Sequence, residues 1–192
     1  MLGYLIVSVG IAILIGMTSY CAVIDVVSRR IPNAATYSLA IGGLAFSSIM
    51  SLAVNGLTEA PLSSSLLGSI QGLLTSFAIM FVIYAYTNSG AGDVKLAAGI
   101  GSFLGMKGGL LTICYAYITA ACFAGCLVIW MFGFGFAVRA VLRLPRLWVT
   151  PECPEIEARA KTIMSKGLPL APFFLIGTLL TLFDLLRFFQ AN

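Results

Sequence analysis

The sequence predicts an all-α, polytopic integral membrane protein: one membrane-embedded domain over residues 1–192, with about six transmembrane helices. Three observations predict it. Hydrophobic residues make up 60% of the chain and charged residues 9%, with a mean hydropathy of +1.04, whereas soluble domains carry about 25% charged residues. Several apolar runs approach the roughly 20 residues that cross a bilayer as a helix. The basic residues gather between alternate runs, as they do in membrane proteins with a fixed orientation.

The first span, 5–24, ends at Asp25, with Arg29 and Arg30 just beyond. No basic flank precedes it and no A-x-A-like site follows, which disfavours a cleaved signal peptide. Ile31 precedes Pro32 and is pushed out of helical geometry, so a tight connection is expected. Asn33 is the expected N-cap of the second helix, with Ala34, Ala35 and Thr36 as its first turn. That helix covers about 34–54 and the third about 66–86.

Gly90 and Gly92 flank Ala91 directly before Asp93 and let another backbone approach closely. The fourth span starts near Asp93 and fades into Lys107-Gly108-Gly109. Gly101 and Gly105 form a small-residue packing face on it. A fifth span covers about 110–137. A polar segment at about 138–167 follows. Arg139, Arg143 and Arg146 suit anionic headgroups. Residues 155–165 read as a short amphipathic helix with Glu155 facing Arg159 and Glu157 facing Lys161. The sixth span covers about 169–186, with Asp184 and Arg187 as a helix pair near its outer end.

Charge sets the orientation. With the loops after spans one, three and five in the cytosol, that side holds Arg29, Arg30, Lys95, Arg139, Arg143, Arg146, Arg159, Lys161 and Lys166, against Lys107 and Arg187 opposite. This is a strong positive-inside bias. Both termini are then outside, and Asp25 and Asp93 share the cytosolic face.

What is missing narrows the chemistry. Without histidine there is no Ser-His or Cys-His pair and no histidine-ligated metal. Cys21, Cys114, Cys122 and Cys126 lie in apolar runs, Cys153 in the polar segment, and no C-x-x-C occurs. The odd cysteine count argues against a complete disulfide framework. No metal and no cofactor are expected. The absence of a long basic run interleaved with aromatics makes nucleic acid an unfavoured partner. What remains is two carboxylates. An acid at the edge of an apolar span is costly and marks a functional site by default, so Asp25 and Asp93 are the candidate catalytic pair.

These residues are also familiar as motifs. Asp25-x-x-x-Arg29-Arg30-Ile31-Pro32-Asn33 resembles the first aspartate motif of the type IV prepilin peptidases. Gly90-Ala91-Gly92-Asp93-Val94-Lys95-Leu96 is similar to the GxGD motif of the wider class of intramembrane aspartyl proteases. Gly167-Leu168-Pro169-Leu170-Ala171-Pro172, followed by Gly177, is similar to the Pro-rich start of that family's last helix. The resemblance runs from about residue 20 to 180. It implies a multi-pass peptidase of the prokaryotic cytoplasmic membrane with its active site facing the cytosol. The implied substrate is a membrane-embedded prepilin-like protein, cleaved after a glycine just before its hydrophobic stretch. The longer, methylating members carry a cytosolic insertion after the first helix, often with paired CxxC motifs. Here the second span follows Asp25 within nine residues. The chain therefore resembles the short, peptidase-only form found with tight-adherence pili and with archaeal flagellin-like systems, and no methyltransferase activity is expected.

Peptide hydrolysis by two aspartates needs one ionised, to take a proton from water, and one protonated, to polarise the scissile carbonyl. Two close carboxyls share a proton and titrate as a unit. On helix dipoles alone, Asp25 at a helix C-terminus is the expected acid and Asp93, opening a helix, the expected base. Arg29 and Arg30 bear on that balance or on substrate. Lys95 is placed either to pair with Asp93 or to snorkel. Glu152, Glu155 and Glu157 are placed to meet a basic leader. Gly90, Gly92, Pro32 and Asn33 shape the site. Two other readings keep the same residues: a proton-coupled transporter with Asp25 and Asp93 as relay groups, or a non-catalytic pilus assembly scaffold.

Overall fold

A computed structural model of the chain describes residues 2–53, 65–87, 90–132 and 169–191. The polar segment with Glu152, Glu155 and Glu157 lies outside the described residues. All regular structure among the described residues is helical: α1 (Leu2–Ser28), α2 (Asn33–Ala53), α3 (Leu66–Thr87), α4 (Ala91–Phe132) and α5 (Ala171–Ala191). Four of these, α1 to α4, are long and apolar enough to cross a membrane. The outer faces of the helices are apolar as well: Val23, Val26, Val27, Ile41, Leu52, Leu67 and Phe81 are all at least half-exposed. A soluble protein rarely displays so much large apolar side chain, whereas lipid tails accept it.

The chain forms two compact units, Met1–Thr119 with Pro169–Asn192, and Ala120–Leu168. Both aspartates belong to the first. Of the second, only the last turns of α4 are described.

The stretches expected as the fourth and fifth spans both lie in α4, and the break between them differs from expectation. It falls at Gly105 (φ 70°, ψ −174°) and not at Lys107-Gly108-Gly109, which stay helical. Only glycine takes that backbone conformation without a steric penalty. Gly105 folds the chain back on itself: a Cβ placed on Gly109 would lie 3.1 Å from the Gly101 Cα. Two residues eight apart along a straight helix would stand about 12 Å apart.

The first limb of α4 is the centre of the bundle. Every residue from 96 to 105 is buried, and a helix buried all round needs no amphipathic pattern. Its neighbours reach it through small residues. On α2, a Cβ at Gly43 would come within 2.9 Å of the Ser102 carbonyl carbon, and Phe46 stacks on Phe103 at 5.9 Å. On α3, a Cβ at Gly72 would come within 2.6 Å of the Gly105 carbonyl carbon, and the Ser69 hydroxyl donates to the Ser102 carbonyl at 2.6 Å. The expected packing role of Gly101 is met against Ser76, whose Cβ would lie 2.9 Å from a Cβ there.

The second limb packs on α5. A Cβ at Gly177 would sit 2.7 Å from the Thr112 carbonyl oxygen, and the Thr112 hydroxyl donates to Thr181 at 3.1 Å. Asp184 accepts from the Tyr115 hydroxyl across the same contact, where a pair with Arg187 on its own helix was expected. The Tyr115 phenol reaches over from α4, a partner that sequence spacing within α5 does not reveal. Helix α1 packs on both α2 and α5.

Candidate active site

Asp25 lies one turn before the end of α1, and Asp93 in the first turn of α4. Each is 7% exposed. Burial of two carboxylates so near helix ends requires compensating partners, and both have them.

Asp93 occupies the third position of its helix. Its backbone N–H donates to the Gly90 carbonyl at 3.1 Å, and its carboxylate accepts from the Gly90 backbone in return. This is the reciprocal arrangement of a capping box, in which a side chain at the third helical position satisfies the cap residue's N–H. Gly90 must be small for it, since a Cβ there would come 3.2 Å from Asp93 Oδ2. Gly92 serves another contact: a Cβ there would meet the Ile31 Cβ at 3.1 Å. The turn between α1 and α2 is thus seated on the first turn of α4.

That seating brings the aspartates together. Arg29 ends α1 in a left-handed conformation (φ 51°), with its N–H donating to the Asp25 carbonyl at 2.9 Å. For a non-glycine residue this conformation costs about 1–2 kcal/mol, and it turns the chain straight into Ile31 and Pro32. Ile31 packs on Gly92. Further along, the Lys95 ammonium donates to Asn33 Oδ1 at 2.8 Å and lies 5.2 Å over the Tyr37 ring. With the turn pinned at both points, Asp25 acts electrostatically on Asp93.

Two expectations are corrected here. Asn33 does not cap α2; it is the first helical residue, and the Pro32 carbonyl accepts from Ala35 and Thr36 at 3.1 and 3.4 Å. Its side chain is engaged by Lys95. Lys95 in turn holds Asn33 and Tyr37 rather than Asp93, because the docked turn offers it an amide oxygen and an aromatic face. Arg29 and Arg30 are both exposed at the end of α1.

A third element completes the site. The Ala171 N–H, at the start of α5, donates to Asp25 Oδ2 at 3.1 Å in a buried hydrogen bond. The Leu170 carbonyl accepts from Phe173 and Phe174, so Ala171 is the first helical residue and its N–H has no partner within the helix. Asp25 satisfies it. This changes the expected division of roles. The α1 dipole disfavours charge on Asp25, yet the α5 N-terminus favours it. Each aspartate therefore stands at a helix N-terminus, and dipoles no longer single out one as the acid. Ala171 was visible only as part of a Pro-rich motif, since a contact across 146 residues leaves no trace in local spacing.

Among the described residues no cluster of three or more His, Cys, Asp or Glu is placed to hold a metal ion. Cys21, one turn before Asp25, is buried and free. The chemistry on hand is that of two buried carboxyls, each accepting a backbone N–H, with Asp25 acting electrostatically on Asp93.

No curated protein and no solved structure matches the chain. Residues 12–125, which include both aspartates and more than half of the sequence, match the model of the Type IV leader peptidase family. With its apolar helical architecture, its buried aspartates and that match, the chain belongs to the type IV leader peptidase family.

Proposed function

We propose that the protein is an aspartyl endopeptidase that removes the cytosolic leader of a prepilin-like membrane protein, with Asp25 and Asp93 as the catalytic dyad. The observation that carries this is their convergence: two nine-tenths-buried carboxylates on different helices, each held by a backbone N–H at a helix N-terminus, with Asp25 acting electrostatically on Asp93, in a member of this peptidase family.

The reaction needs one proton shared between the pair. The ionised carboxylate takes a proton from water as the hydroxide oxygen bonds to the scissile carbonyl carbon. The protonated carboxyl gives its proton to the carbonyl oxygen, yielding a gem-diol. The leaving nitrogen then takes a proton, the C–N bond breaks, and one diol hydroxyl returns its proton to the dyad. The products are a leader carboxylic acid and a new amino terminus.

A six-span topology with both termini outside fits this reading. Gly105 divides α4 into two limbs, and the basic Arg29, Arg30 and Lys95 flank the aspartates, as the cytosolic side of a cytoplasmic membrane protein requires. A prepilin-like substrate, itself embedded in the bilayer, presents its cleavage site at that level. Tight-adherence pilin maturation without N-methylation suits the short connection between α1 and α2. Glu152, Glu155 and Glu157 are the proposed counter-charges for a basic leader, and no cofactor takes part.

The test is leader removal from a prepilin-like substrate co-reconstituted in liposomes. Wild type releases the leader; Asp25→Asn and Asp93→Asn each lower the rate by about 10²–10⁴-fold or more, the scale of general acid–base catalysis. Retained cleavage in either variant rules out the dyad, and a wild type that binds the substrate without releasing the leader leaves a scaffold role.

A further inference from the structure

Tyr117 is a buried polar group that the dyad does not account for. It lies on the second limb of α4, its side chain half-buried and its phenolic oxygen fully so. Among the described residues that oxygen has no hydrogen-bond partner. A hydroxyl stripped of water and left unpaired carries an uncompensated cost, which an arriving acceptor would relieve.

Chain geometry sets Tyr117 level with Asp93. The fold-back at Gly105 crosses Gly101 with Gly109. Asp93 lies eight residues before Gly101, and Tyr117 eight residues after Gly109. At about 1.5 Å per residue each stands about 12 Å from the crossing, so the two come level on facing limbs. The Asp93 carboxylate acts electrostatically on the Tyr117 phenol, in keeping with that register. Neighbouring polar groups differ. The Tyr115 hydroxyl is taken by Asp184. The Ser76 hydroxyl is also buried and unpaired, but it is enclosed by Gly101 and Gly109 inside the helix contact.

We propose that Tyr117 is a catalytic residue of this site: its phenol donates a hydrogen bond to the carbonyl oxygen of the scissile peptide and strengthens it as that oxygen gains negative charge. The inference rests on the leader-peptidase reading above. When water adds to the carbonyl carbon, the C=O π electrons move onto the oxygen that the phenol holds. The proton this oxygen finally takes comes from the dyad, and the phenol O–H stays intact. As the C–N bond breaks and the carbonyl re-forms, the hydrogen bond weakens and the product leaves. Preorganised donors of this kind act on the transition state more than on the bound substrate.

Tyr117→Phe removes one oxygen atom and nothing else. Alongside wild type and Asp93→Asn, its kcat and KM for leader release in liposomes and its melting temperature are the readouts. The expected result is a kcat lower by about 10²-fold, a KM within about twofold of wild type, and a melting temperature equal or higher, because an unpaired buried hydroxyl has gone. A wild-type kcat, or a lower kcat accompanied by a matching loss of thermal stability, overturns the proposal and makes the hydroxyl part of the packing. If wild type itself releases no leader, the peptidase reading falls, and this one with it. That outcome is distinct from the first, in which wild type cleaves, Asp93→Asn does not, and Tyr117→Phe cleaves normally.

Discussion

Around the dyad, single atoms decide geometry. Asp93 folds back onto Gly90 so closely that one added methyl group would press on its carboxylate oxygen at 3.2 Å. Gly90→Ala is therefore expected to displace the carboxylate by a few tenths of an ångström while the helix survives. Alanine is also a poorer cap than glycine, at a cost of about 1 kcal/mol or less. A displacement of about 1 Å can cost 10²-fold in rate, so the expected loss is about 10-fold in kcat with a shift of only a few degrees in melting temperature. Steady-state leader release and thermal unfolding on the same preparation check it; an unchanged kcat means that the carboxylate position at rest is not the catalytic one. At this scale much of the site was legible. Asp25, Asp93, Gly90 and Gly92 stand out because acids at span edges and glycines beside them are unusual choices. Lys95, Asn33 and Ala171 were legible as positions but not as partners. The bonds from Lys95 to Asn33 and from Ala171 to Asp25 span 62 and 146 residues, and only the folded chain pairs them.

Among the helices, the glycines of α2, α3 and α4 divide by what stands opposite them. Those at 43, 72 and 101 face atoms less than 3 Å from a would-be Cβ, partly backbone that cannot swing away. Among the described residues, Gly16 on α1 faces nothing within 4 Å. The sequence shows all of these as equivalent small residues in apolar spans, because which helix face meets a neighbour depends on the packed arrangement. Gly72→Ala and Gly101→Ala are expected to destabilise by about 1–3 kcal/mol or more, the usual cost of overpacking. Gly16→Ala is expected to be neutral or to stabilise by about 0.5–1 kcal/mol through the better helix propensity of alanine. Denaturation in mixed micelles ranks the three, and a Gly16→Ala variant weaker than Gly72→Ala would refute the assignment of α3 against α4. The bend at Gly105 was harder to place for the same reason. The sequence favoured a break at Gly108 and Gly109 and a packing role for Gly101 and Gly105, and only φ 70° marks Gly105 as the hinge.

For the whole molecule, the membrane setting follows from 60% hydrophobic residues in so short a chain, and the helical class from apolar runs of about 20 residues. Orientation rests on a different kind of information, the distribution of Arg and Lys between alternate loops. It predicts that Ser28, exposed at the end of α1 beside Arg29 and Arg30, faces the cytosol, and Ser51, exposed at the far end of α2, the opposite side. The two lie at opposite ends of a pair of packed helices joined by a short turn, so they must emerge on opposite faces whichever way the bundle points. In a background with all five cysteines replaced, Ser28→Cys should react with a membrane-impermeant maleimide only in inverted vesicles, and Ser51→Cys only in intact spheroplasts. The reverse pattern would turn the proposed dyad away from the cytosol, where a leader awaiting removal is made, and would refute the topology on which the leader-peptidase reading rests. Labelling of Ser28→Cys from the cytosolic side, with Asp25 one turn away and Asp93 docked beneath the same turn, fixes the face from which substrate must approach.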